Sequence, residues 1–294
     1  MLTRNQKITY LSSSLSKLFR GKWYICPSCG SSNSEIVDRK YVVTTLRRCE
    51  GCSLLYRAPT TTMAEFDKFY QQEYSEGFTT ALPLDEELAQ LKSNNFYNSG
   101  KDYSLYVEIL NSLGCNSGDA VLDYGCSWGY GSWQFANAGF DVAGFEVSRE
   151  RCNFAREKLG VDAHSDATAF NKYPKFKVVF SSHVLEHIPD ISSAIQTARS
   201  LIAPGGYLLA FTPNGSEAYR AIAGAQWSGI WGFVHPLFVD SEFYKSEFDQ
   251  DEYLIDSSSY ELDRIKAWAS DSSISREVVK TCGPELMVVV KCGL

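Results

Sequence analysis

One stretch of the chain, residues 121–131 (VLDYGCSWGYG), constrains the fold more than any other. An apolar run ends at Asp123 and enters a glycine-rich turn, and a second apolar run ends at Glu146. Both acidic residues therefore stand at the carboxyl ends of predicted strands, where an open α/β sheet binds nucleotide-like ligands. Glycine lets the backbone approach a ligand that a Cβ atom would exclude. Glu146 is placed to accept hydrogen bonds from the two hydroxyls of a ribose.

The spacing of the glycines selects among such ligands. The turn has the pattern G-x-x-x-G-x-G, which does not match the dinucleotide fingerprint G-x-G-x-x-G. The pattern D-x-G-x-x-x-G resembles motif I of class I S-adenosylmethionine-dependent methyltransferases, commonly D-x-G-C-G-x-G. Ser127 replaces the middle glycine, and because serine is small we expect the loop to keep its shape. The resemblance implies that S-adenosylmethionine is contacted by Asp123, Gly125, Cys126 and Gly129.

The resemblance continues downstream in the order of the family's motifs. Glu146, after the second predicted strand, resembles the acidic residue that holds the ribose in this family. Asp166, after the third, resembles the acidic residue that faces the adenine amine. The fourth strand ends in a loop at 182–190, and residues 201–209 resemble the family's helix, turn and fifth strand. Four motifs in one order are more specific than a single glycine loop. The further cofactor contacts implied here are Glu146, Val147, Asp166, Ala167, Ser182 and His183.

Strand-like and helix-like segments alternate from residue 119 to residue 212. This alternation predicts an α/β fold, with a Rossmann-like, mostly parallel sheet and helices on both faces. Leu286–Val290 is predicted as the final strand, with residues 276–281 as its hairpin partner. We therefore assign residues 116–294 to an S-adenosylmethionine-binding domain, with an insertion at about 214–260 that covers the substrate.

Two C-x-x-C pairs, with 19 residues between them, lie in the segment 23–58. Each pair can place two thiolates on one metal ion, and two pairs complete a tetrahedral zinc site. The apolar segments between them, Ile36–Val37 and Tyr41–Val43, predict the strands of a hairpin, so the segment is interpreted as a zinc ribbon with a structural ion. Four unliganded thiols or a redox pair are the alternatives. The predicted ligands are Cys26, Cys29, Cys49 and Cys52.

The other N-terminal segments are less informative. Residues 1–22 are basic and serine-rich, with apolar residues at helical spacing, and no acidic residue precedes Glu35. They are interpreted as a docking helix or a frayed terminus, with a peripheral membrane helix and a transit peptide left open. Residues 59–115 are predicted to be a linker followed by helices at Met63–Tyr74 and Ser104–Leu113. We expect the aromatic side chains of this segment to pack between the two modules.

Composition limits the classes of function. The net charge is −7, and residues 1–58 carry ten basic and three acidic residues, a net of +7, so the remainder carries −14. Such an acidic remainder disfavours phosphate and nucleic-acid binding. No apolar run is long enough to cross a membrane, and no secretory signal is expected. Nine cysteines, an odd number, suit free thiols in a reducing compartment such as the cytoplasm.

A hydroxyl acceptor must lose a proton, and the chain has four histidines as candidate bases. His164 is interpreted as structural, because it falls in or just after a predicted strand. The ribbon, the class I domain and the late aromatic segment resemble methyltransferases that modify sugars in polysaccharide and deoxysugar pathways. The C-methylating members of that group use an adjacent Glu-His pair as the base, and they carry a further C-terminal domain. In this chain Val234 stands in place of the glutamate before His235, which favours O-methylation over C-methylation. His235 is therefore predicted as the catalytic base, with His187 as the second candidate.

Three functions stay open. The first is O-methylation of a sugar, nucleotide-sugar or glycan hydroxyl, because the aromatic segment 227–233 could stack on a sugar ring and exclude water. The second is RNA methylation guided by the basic ribbon, since the outline resembles zinc-ribbon guanine methyltransferases of ribosomal RNA. The acidic remainder and the Ser-Ser-His-Val sequence after the fourth strand disfavour it. The third is a binding module without turnover, which the intact set of Asp123, Glu146 and Asp166 disfavours.

Overall fold

The structure is a computed structural model that describes residues 4–19, 21, 23–69, 81–232, 234–271, 273 and 275–293. Its strands are β1 (Ser34–Lys40), β2 (Thr44–Cys49), β3 (Leu55–Ala58), β4 (Ala120–Tyr124), β5 (Asp141–Phe145), β6 (Asp162–His164), β7 (Phe176–Ser182), β8 (Ile202–Pro213), β9 (Leu237–Phe238), β10 (Glu252–Ser257), β11 (Arg276–Val278) and β12 (Glu285–Lys291). Its helices are α1 (Arg4–Leu18), α2 (Met63–Lys68), α3 (Asp85–Ser93), α4 (Ser104–Ser112), α5 (Tyr130–Asn137), α6 (Arg149–Leu159), α7 (Ile191–Ser200), α8 (Glu217–Ala223), α9 (Ala225–Ile230), α10 (Ser241–Glu247) and α11 (Leu262–Ser270). Two 3₁₀ turns span Ala167–Lys172 and Leu185–His187.

An eight-stranded sheet forms the centre of the fold, in the order β11-β10-β12-β8-β7-β4-β5-β6. The strands from β8 to β6 run parallel, and β12 runs antiparallel between β8 and β10. Helices α4, α5, α6 and α11 pack on one face around Phe135 and Trp268, whereas α7 and α10 pack on the other around Ile195 and Tyr244. The predicted α/β fold, a mostly parallel sheet with helices on both faces, is confirmed.

The C-terminal strands differ from the prediction in one respect. Residues 276–281 do not form a hairpin with β12, because β12 hydrogen-bonds to β8 on one edge and to β10 on the other. Since both edges of β12 are occupied, β11 pairs in parallel with the outer edge of β10. Strand β10 also lies inside the range 214–260, so the segment predicted to cover the substrate supplies one strand of the central sheet.

A second sheet, in the order β1-β2-β3-β9, lies next to the two cysteine pairs: the first pair precedes β1, and the second lies at the end of β2 and in the turn after it. The first hairpin turns at residues 41–43, where Tyr41 and Val42 have φ of 55° and 66°, so the second strand begins at Thr44 rather than in the predicted Tyr-Val-Val segment. Strand β9 comes from the far segment 214–260 and pairs with β3. Buried Cys49 and Tyr56 belong to the same hydrophobic cluster as the α7 face of the central sheet, so the two sheets share a core.

The N-terminal helix α1 docks on the start of α2 through polar contacts. Lys17 Nζ donates to a carboxylate oxygen of Glu65 at 2.6 Å and to the carbonyl of Thr60 at 2.7 Å. Glu65 also forms a capping box with Thr62, which satisfies the first backbone amides of α2. These contacts fit the docking-helix interpretation, although the apolar ring of Phe19 stays exposed.

The helix predicted at Ser104–Leu113 corresponds to α4. The helix predicted at Met63–Tyr74 is seen as α2, and residues 70–74 lie outside the described residues. Within the described ranges, no helix combines the length and the apolar character that crossing a membrane requires.

Candidate cofactor and acceptor site

The glycine-rich loop leaves the end of β4 and folds back over β5. The amides of Gly125 and Cys126 both donate to the carbonyl of Phe145, at 2.8 and 2.9 Å. Gly125 has φ +95°, and a Cβ atom there would lie 2.2 Å from a methyl group of Val184. Gly129 has φ +88°, and a Cβ atom there would lie 2.8 Å from the Cβ atom of Ala155 in α6. The loop therefore needs glycine at both positions, and its contact with Val184 joins it to the loop after β7.

Ser127 occupies the position at which the sequence departs from the family pattern. Its φ of 52° is in the left-handed region, which explains why glycine suits this position. The Ser127 hydroxyl is buried and forms no hydrogen bond within the part of the chain that the structure describes. The neighbouring thiol of Cys126 is buried as well, and burial raises its pKa well above the usual value, so it is neutral. A small cradle with a buried hydroxyl lacking a partner fits a polar ligand such as the adenosyl group.

Two buried carboxyl groups flank this loop on adjacent strands. Asp123 accepts a hydrogen bond from the hydroxyl of Ser132 at 2.7 Å, and Glu146 accepts one from the amide of Ser148 at 2.7 Å. Burial raises the pKa of Asp123 to about 7, and the charge of Glu146 adds to the effect. Burial raises the pKa of Glu146 too. These groups fit a ligand that brings positive charge and hydroxyl donors, because it would compensate for their desolvation.

The raised pKa of Asp123 predicts how stability depends on pH. In the unfolded chain this carboxyl ionises near its ordinary pKa of about 3.9, whereas in the folded chain it stays protonated to about pH 7, so folding is progressively weakened as the pH rises between these values. Asp123→Asn removes the ionisation, and we expect it to stabilise the ligand-free protein at pH 8 by up to about 4 kcal/mol. Urea unfolding at pH 5 and pH 8 measures this, with Asp141→Asn on the exposed strand end as control. The prediction would be contradicted if the free energy of unfolding changed between pH 5 and pH 8 by the same amount in Asp123→Asn as in the wild type.

The other residues implied as cofactor contacts lie along the same sheet edge, with different surroundings. Val147 follows Glu146 and is partly buried. Asp166 is exposed after β6, where its carboxylate accepts a hydrogen bond from the amide of Thr168 at 2.9 Å and caps the 3₁₀ turn that Ala167 begins. His164, the residue interpreted as structural, contacts Tyr173 and Asp162 in the same region. The adenine-facing role of Asp166 stays a prediction.

Ser182 and His183 lie at the carboxyl end of β7. The Ser182 hydroxyl donates to the hydroxyl of Tyr106 at 3.3 Å. His183 has φ 55°, and its Nε2 lies 2.7 Å from a carboxylate oxygen of Glu285. Burial lowers the pKa of His183, but the carboxylates of Glu186 and Glu285 more than offset this and raise the pKa to about 10. His183 is thus held as a cation between β7 and β12, and its predicted role in cofactor binding stays a prediction.

The two candidate bases meet, although they lie 48 positions apart in the chain. The ring centroids of His187 and His235 are 4.8 Å apart. His187 Nδ1 lies 2.6 Å from the carbonyl of Val234, and His235 Nδ1 lies 3.2 Å from the carbonyl of Ile230. A carbonyl only accepts hydrogen bonds, so each neutral ring carries its proton on Nδ1 and directs its basic character to Nε2. Burial lowers the pKa of His187, which favours the neutral ring.

A third titratable group completes this cluster, and the sequence analysis did not single it out. Glu186 is fully buried, and its Oε1 lies 3.7 Å from His187 Nε2 and 3.6 Å from His183 Nδ1. Burial raises its pKa, but the attraction of the histidines outweighs this and leaves the pKa below the usual value. The sequence offered one signal for Glu186, its position next to His187 in the loop after β7. Only the fold shows that its carboxylate lies between His183 and His187.

The ribbon sheet sets the position of His235. His235 is followed closely by β9, whose two residues Leu237 and Phe238 pair with β3 of the ribbon. The amide of Arg57 donates to the carbonyl of Pro236 at 2.7 Å, which extends this pairing to the residue next to His235. The ring of Phe238 also packs edge-on against that of His235, with centroids 6.0 Å apart. The ribbon therefore supports one half of the histidine pair directly.

The aromatic segment before His235 has a different role from the one expected. Trp227 and Trp231 are buried in a cluster with Leu46 and Leu55 of the ribbon, and the Trp231 indole donates to a carboxylate oxygen of Asp38 at 2.7 Å. The expectation that their flat faces stack on a sugar is wrong, because these faces are covered by the ribbon. Residue 233, the last of the predicted stacking segment, lies outside the described residues.

The four predicted zinc ligands converge at the end of the ribbon. The Sγ atoms of Cys26 and Cys52 are 3.6 Å apart and those of Cys29 and Cys49 are 3.4 Å apart, with all four within 4.8 Å of one another. A tetrahedral ion with Zn–S bonds of about 2.3 Å places sulfur atoms about 3.8 Å apart. The amide of Gly51 also donates to Cys49 Sγ at 3.3 Å, which stabilises a thiolate. The cysteines thus fit a structural zinc ion, and none forms a disulfide.

Comparison with known proteins places the chain in a family. Residues 97–251, more than half of the chain, match the family described as "Methyltransferase domain". The chain is a member of this methyltransferase family. The match confirms the predicted methyltransferase family, whereas the resemblance to sugar-modifying members stays a prediction. The glycine loop, the two buried acids and the histidine cluster all lie within the matched residues. The ribbon and the last three strands lie outside them.

Several proteins resemble parts of this methyltransferase. A ubiquinone biosynthesis O-methyltransferase of Ralstonia nicotianae is 30% identical over 133 residues, 42% of this chain and 56% of its own length. One of Actinobacillus pleuropneumoniae is 33% identical over 124 residues, 37% of this chain and 53% of its own. The chain thus spans about half the length of these curated relatives. A crystal structure of the plantazolicin methyltransferase BamL with a triazolic desmethylPZN analog and SAH has a TM-score of 0.51 at 14% identity, covering 78% of this chain and 94% of its own, which shows a shared fold.

Proposed function

We propose that this methyltransferase transfers a methyl group from S-adenosylmethionine to a hydroxyl of a sugar, nucleotide-sugar or glycan, as in polysaccharide biosynthesis. The observation that carries the O-transfer is the pairing of His187 with His235 beside the loop that follows β7. The O-methyltransferases among the relatives support oxygen as the acceptor atom. The donor assignment is supported by the family and by the cradle around Gly125, Ser127 and Glu146.

In this proposal the two buried acids bind the methyl donor, and a histidine removes the proton of the acceptor. S-adenosylmethionine, when bound, supplies a methyl group on a sulfonium that is already a good leaving group. Glu146 would hold the ribose hydroxyls, and Asp123 would add negative potential near the positive charge of the donor. His235 Nε2 accepts the proton of the attacking hydroxyl, because its Nδ1 is held by the carbonyl of Ile230. His187 is the second candidate for this proton.

The cysteine site has a structural role in this proposal. The four thiolates would hold a zinc ion that keeps β3 in place, and β3 pairs with β9, which closely follows His235. The nine cysteines, none of them in a disulfide, support a reducing location such as the cytoplasm. Residues 1–22 could still attach the enzyme to a membrane surface without crossing it.

A phenolic hydroxyl is the second candidate acceptor. The two relatives described above are named ubiquinone biosynthesis O-methyltransferases, which points to a phenol-like hydroxyl as a second acceptor class. The burial of Trp227 and Trp231 also removes one argument for sugar stacking. Both acceptors present an oxygen to the same histidine pair, so the geometry of that pair does not separate them.

A labelled-methyl transfer assay with four acceptor classes tests the proposal. Purified protein is incubated with labelled S-adenosylmethionine and, separately, nucleotide-sugars, glycans, catechol-type phenols and ribosomal RNA. We expect alkali-stable methyl ether label in a sugar or glycan, and none with Glu146→Ala, which loses the ribose contact. Label in the phenols alone would move the assignment to the second acceptor. Label in RNA alone, or failure to bind S-adenosylhomocysteine in calorimetry, would overturn both.

A further inference from the structure

The cluster of Glu186, His187 and His235 has the composition of a metal site distinct from the four cysteines. One donor atom from each residue lies within 4.8 Å of the other two. Two imidazoles and one carboxylate are a common donor set for divalent transition metals, and three protein ligands leave positions open for water or a substrate oxygen. Donors at about 2.0–2.2 Å from a tetrahedral ion are roughly 3.3–3.6 Å apart, so the donor atoms would approach one another by at most about 1.5 Å.

The state of Glu186 points independently to a bound cation. Its side chain is fully buried, and neither carboxylate oxygen accepts a hydrogen bond from any residue that the structure describes. Leaving an ionised carboxylate in this state is costly, because it has lost water and gained only ring nitrogens beyond hydrogen-bond distance, at 3.6 and 3.7 Å. The nearest cation, His183, has Nδ1 at 3.6 Å from Glu186 Oε1, while its Nε2 is bound to Glu285 at 2.7 Å. A divalent ion would satisfy Glu186 directly.

The backbone around both histidines orients them as ligands. Nδ1 of His187 is held by the carbonyl of Val234, and Nδ1 of His235 by the carbonyl of Ile230. Metal-binding histidines characteristically donate their other ring N–H to a carbonyl or carboxylate, which fixes the tautomer and raises the basicity of the ligating nitrogen. In both rings Nε2 is therefore the nitrogen left to bind a metal ion. Nε2 of His187 lies 3.7 Å from Oε1 of Glu186.

We propose that Glu186, His187 and His235 bind a divalent transition-metal ion such as Zn²⁺ or Co²⁺. The binding itself does not depend on the proposed function. Its consequence does: an Nε2 that ligates an ion does not accept the proton of a hydroxyl, so the metal-loaded form transfers methyl groups more slowly by the His235 route. The cluster is then a site where a metal ion and the acceptor proton compete for the same nitrogen atoms.

Cobalt titration tests the binding without an acceptor. The 294-residue chain is dialysed against a chelator until one equivalent of zinc remains, and is then titrated with Co²⁺ in a calorimeter and a spectrophotometer. We expect one further equivalent to bind, with visible d–d absorption but without the near-ultraviolet band of thiolate-to-cobalt charge transfer. Glu186→Gln and His235→Gln should weaken this binding at least about 100-fold, since loss of an outer contact alone costs 10- to 100-fold. His164→Gln, at the remote β6, is the matched control.

Binding of S-adenosylhomocysteine serves as the folding check for every variant. His235 lies in a partly exposed segment, so His235→Gln keeps the test decisive if Glu186→Gln does not fold. No second equivalent of Co²⁺, a spectrum dominated by thiolate charge transfer, or equal binding by His235→Gln would overturn the metal site. None of these outcomes depends on methyl transfer, so failure of the proposed function is recognised separately in the labelled-methyl assay.

Discussion

Replacing Cys49 with serine lowers methyl transfer by at least about 100-fold, the cost of displacing a catalytic group by about 1 Å, and leaves S-adenosylhomocysteine binding unchanged. The reason is a chain of contacts from the four-cysteine site to the candidate base. Cys49 ends β2, β2 pairs with β3, and β3 pairs with β9 just after His235. A structural zinc ion contributes about 10–16 kcal/mol to folding of a small module, more than this ribbon can replace by packing. The glycine loop and Glu146 lie on other strands and keep their geometry.

Transfer rates and calorimetry on the same preparations check this prediction. Cys282→Ser is the matched control, because Cys282 is an exposed cysteine outside the four-cysteine site. Zinc content measured by mass spectrometry should fall in Cys49→Ser and stay at the wild-type value in Cys282→Ser. A Cys49→Ser enzyme that has lost its zinc and still turns over at the wild-type rate would show that the ribbon does not position His235.

Replacing His235 with alanine lowers kcat by about 100- to 10,000-fold, the usual contribution of a positioned general base. The zinc bound by the four cysteines and the affinity for S-adenosylhomocysteine stay at wild-type values, because His235 belongs neither to the four-cysteine site nor to the glycine loop. His235 packs against His187 and Phe238, and its Nδ1 is held by one carbonyl, so the truncation removes a proton acceptor and little of the core. His164→Ala, at β6, is the control.

A double variant separates positioning from chemistry. If the ribbon acts through His235, Cys49→Ser combined with His235→Ala is no slower than the more damaged single variant, because both changes remove the same group. Multiplicative losses would instead give the ribbon a role of its own in holding the acceptor. Near-normal turnover of His235→Ala alone would remove it as the base and transfer the assignment to His187.

Local features of the sequence were sufficient to predict the glycine loop and the places of the two buried acids at strand ends, whereas their contacts to the cofactor stay predictions. The glycines at 125 and 129 are required by positive φ and by contacts that a Cβ atom would violate, and such constraints act within a few residues. Asp123 and Glu146 follow directly from the strands that precede them. The four cysteines converge because each pair is already adjacent in sequence and a short hairpin brings the pairs together. These predictions depend on spacing, which a single sequence displays.

The strand order at the C-terminal edge did not follow from spacing. The segment 276–281 precedes β12 in the chain, which suggested a hairpin, but both edges of β12 are taken by β8 and β10. The Tyr-Val-Val segment has strong β propensity, yet Tyr41 and Val42 lie in the turn because the chain must reverse there to pair Lys40 with Thr44. In both cases the tertiary pairing overrides the local preference.

The sequence by itself determined the family of the fold, the loop and acids of the predicted cofactor site, and the composition of the predicted zinc site. Only the tertiary structure decided the acceptor side: it buried Trp227 and Trp231 under the ribbon, joined β9 to β3, and brought Glu186 and His187 to His235. The physical reason is separation along the chain. A turn or a metal knuckle is held by residues a few positions apart, whereas the histidine pair forms only after the ribbon, the central sheet and the late segment have packed into one core.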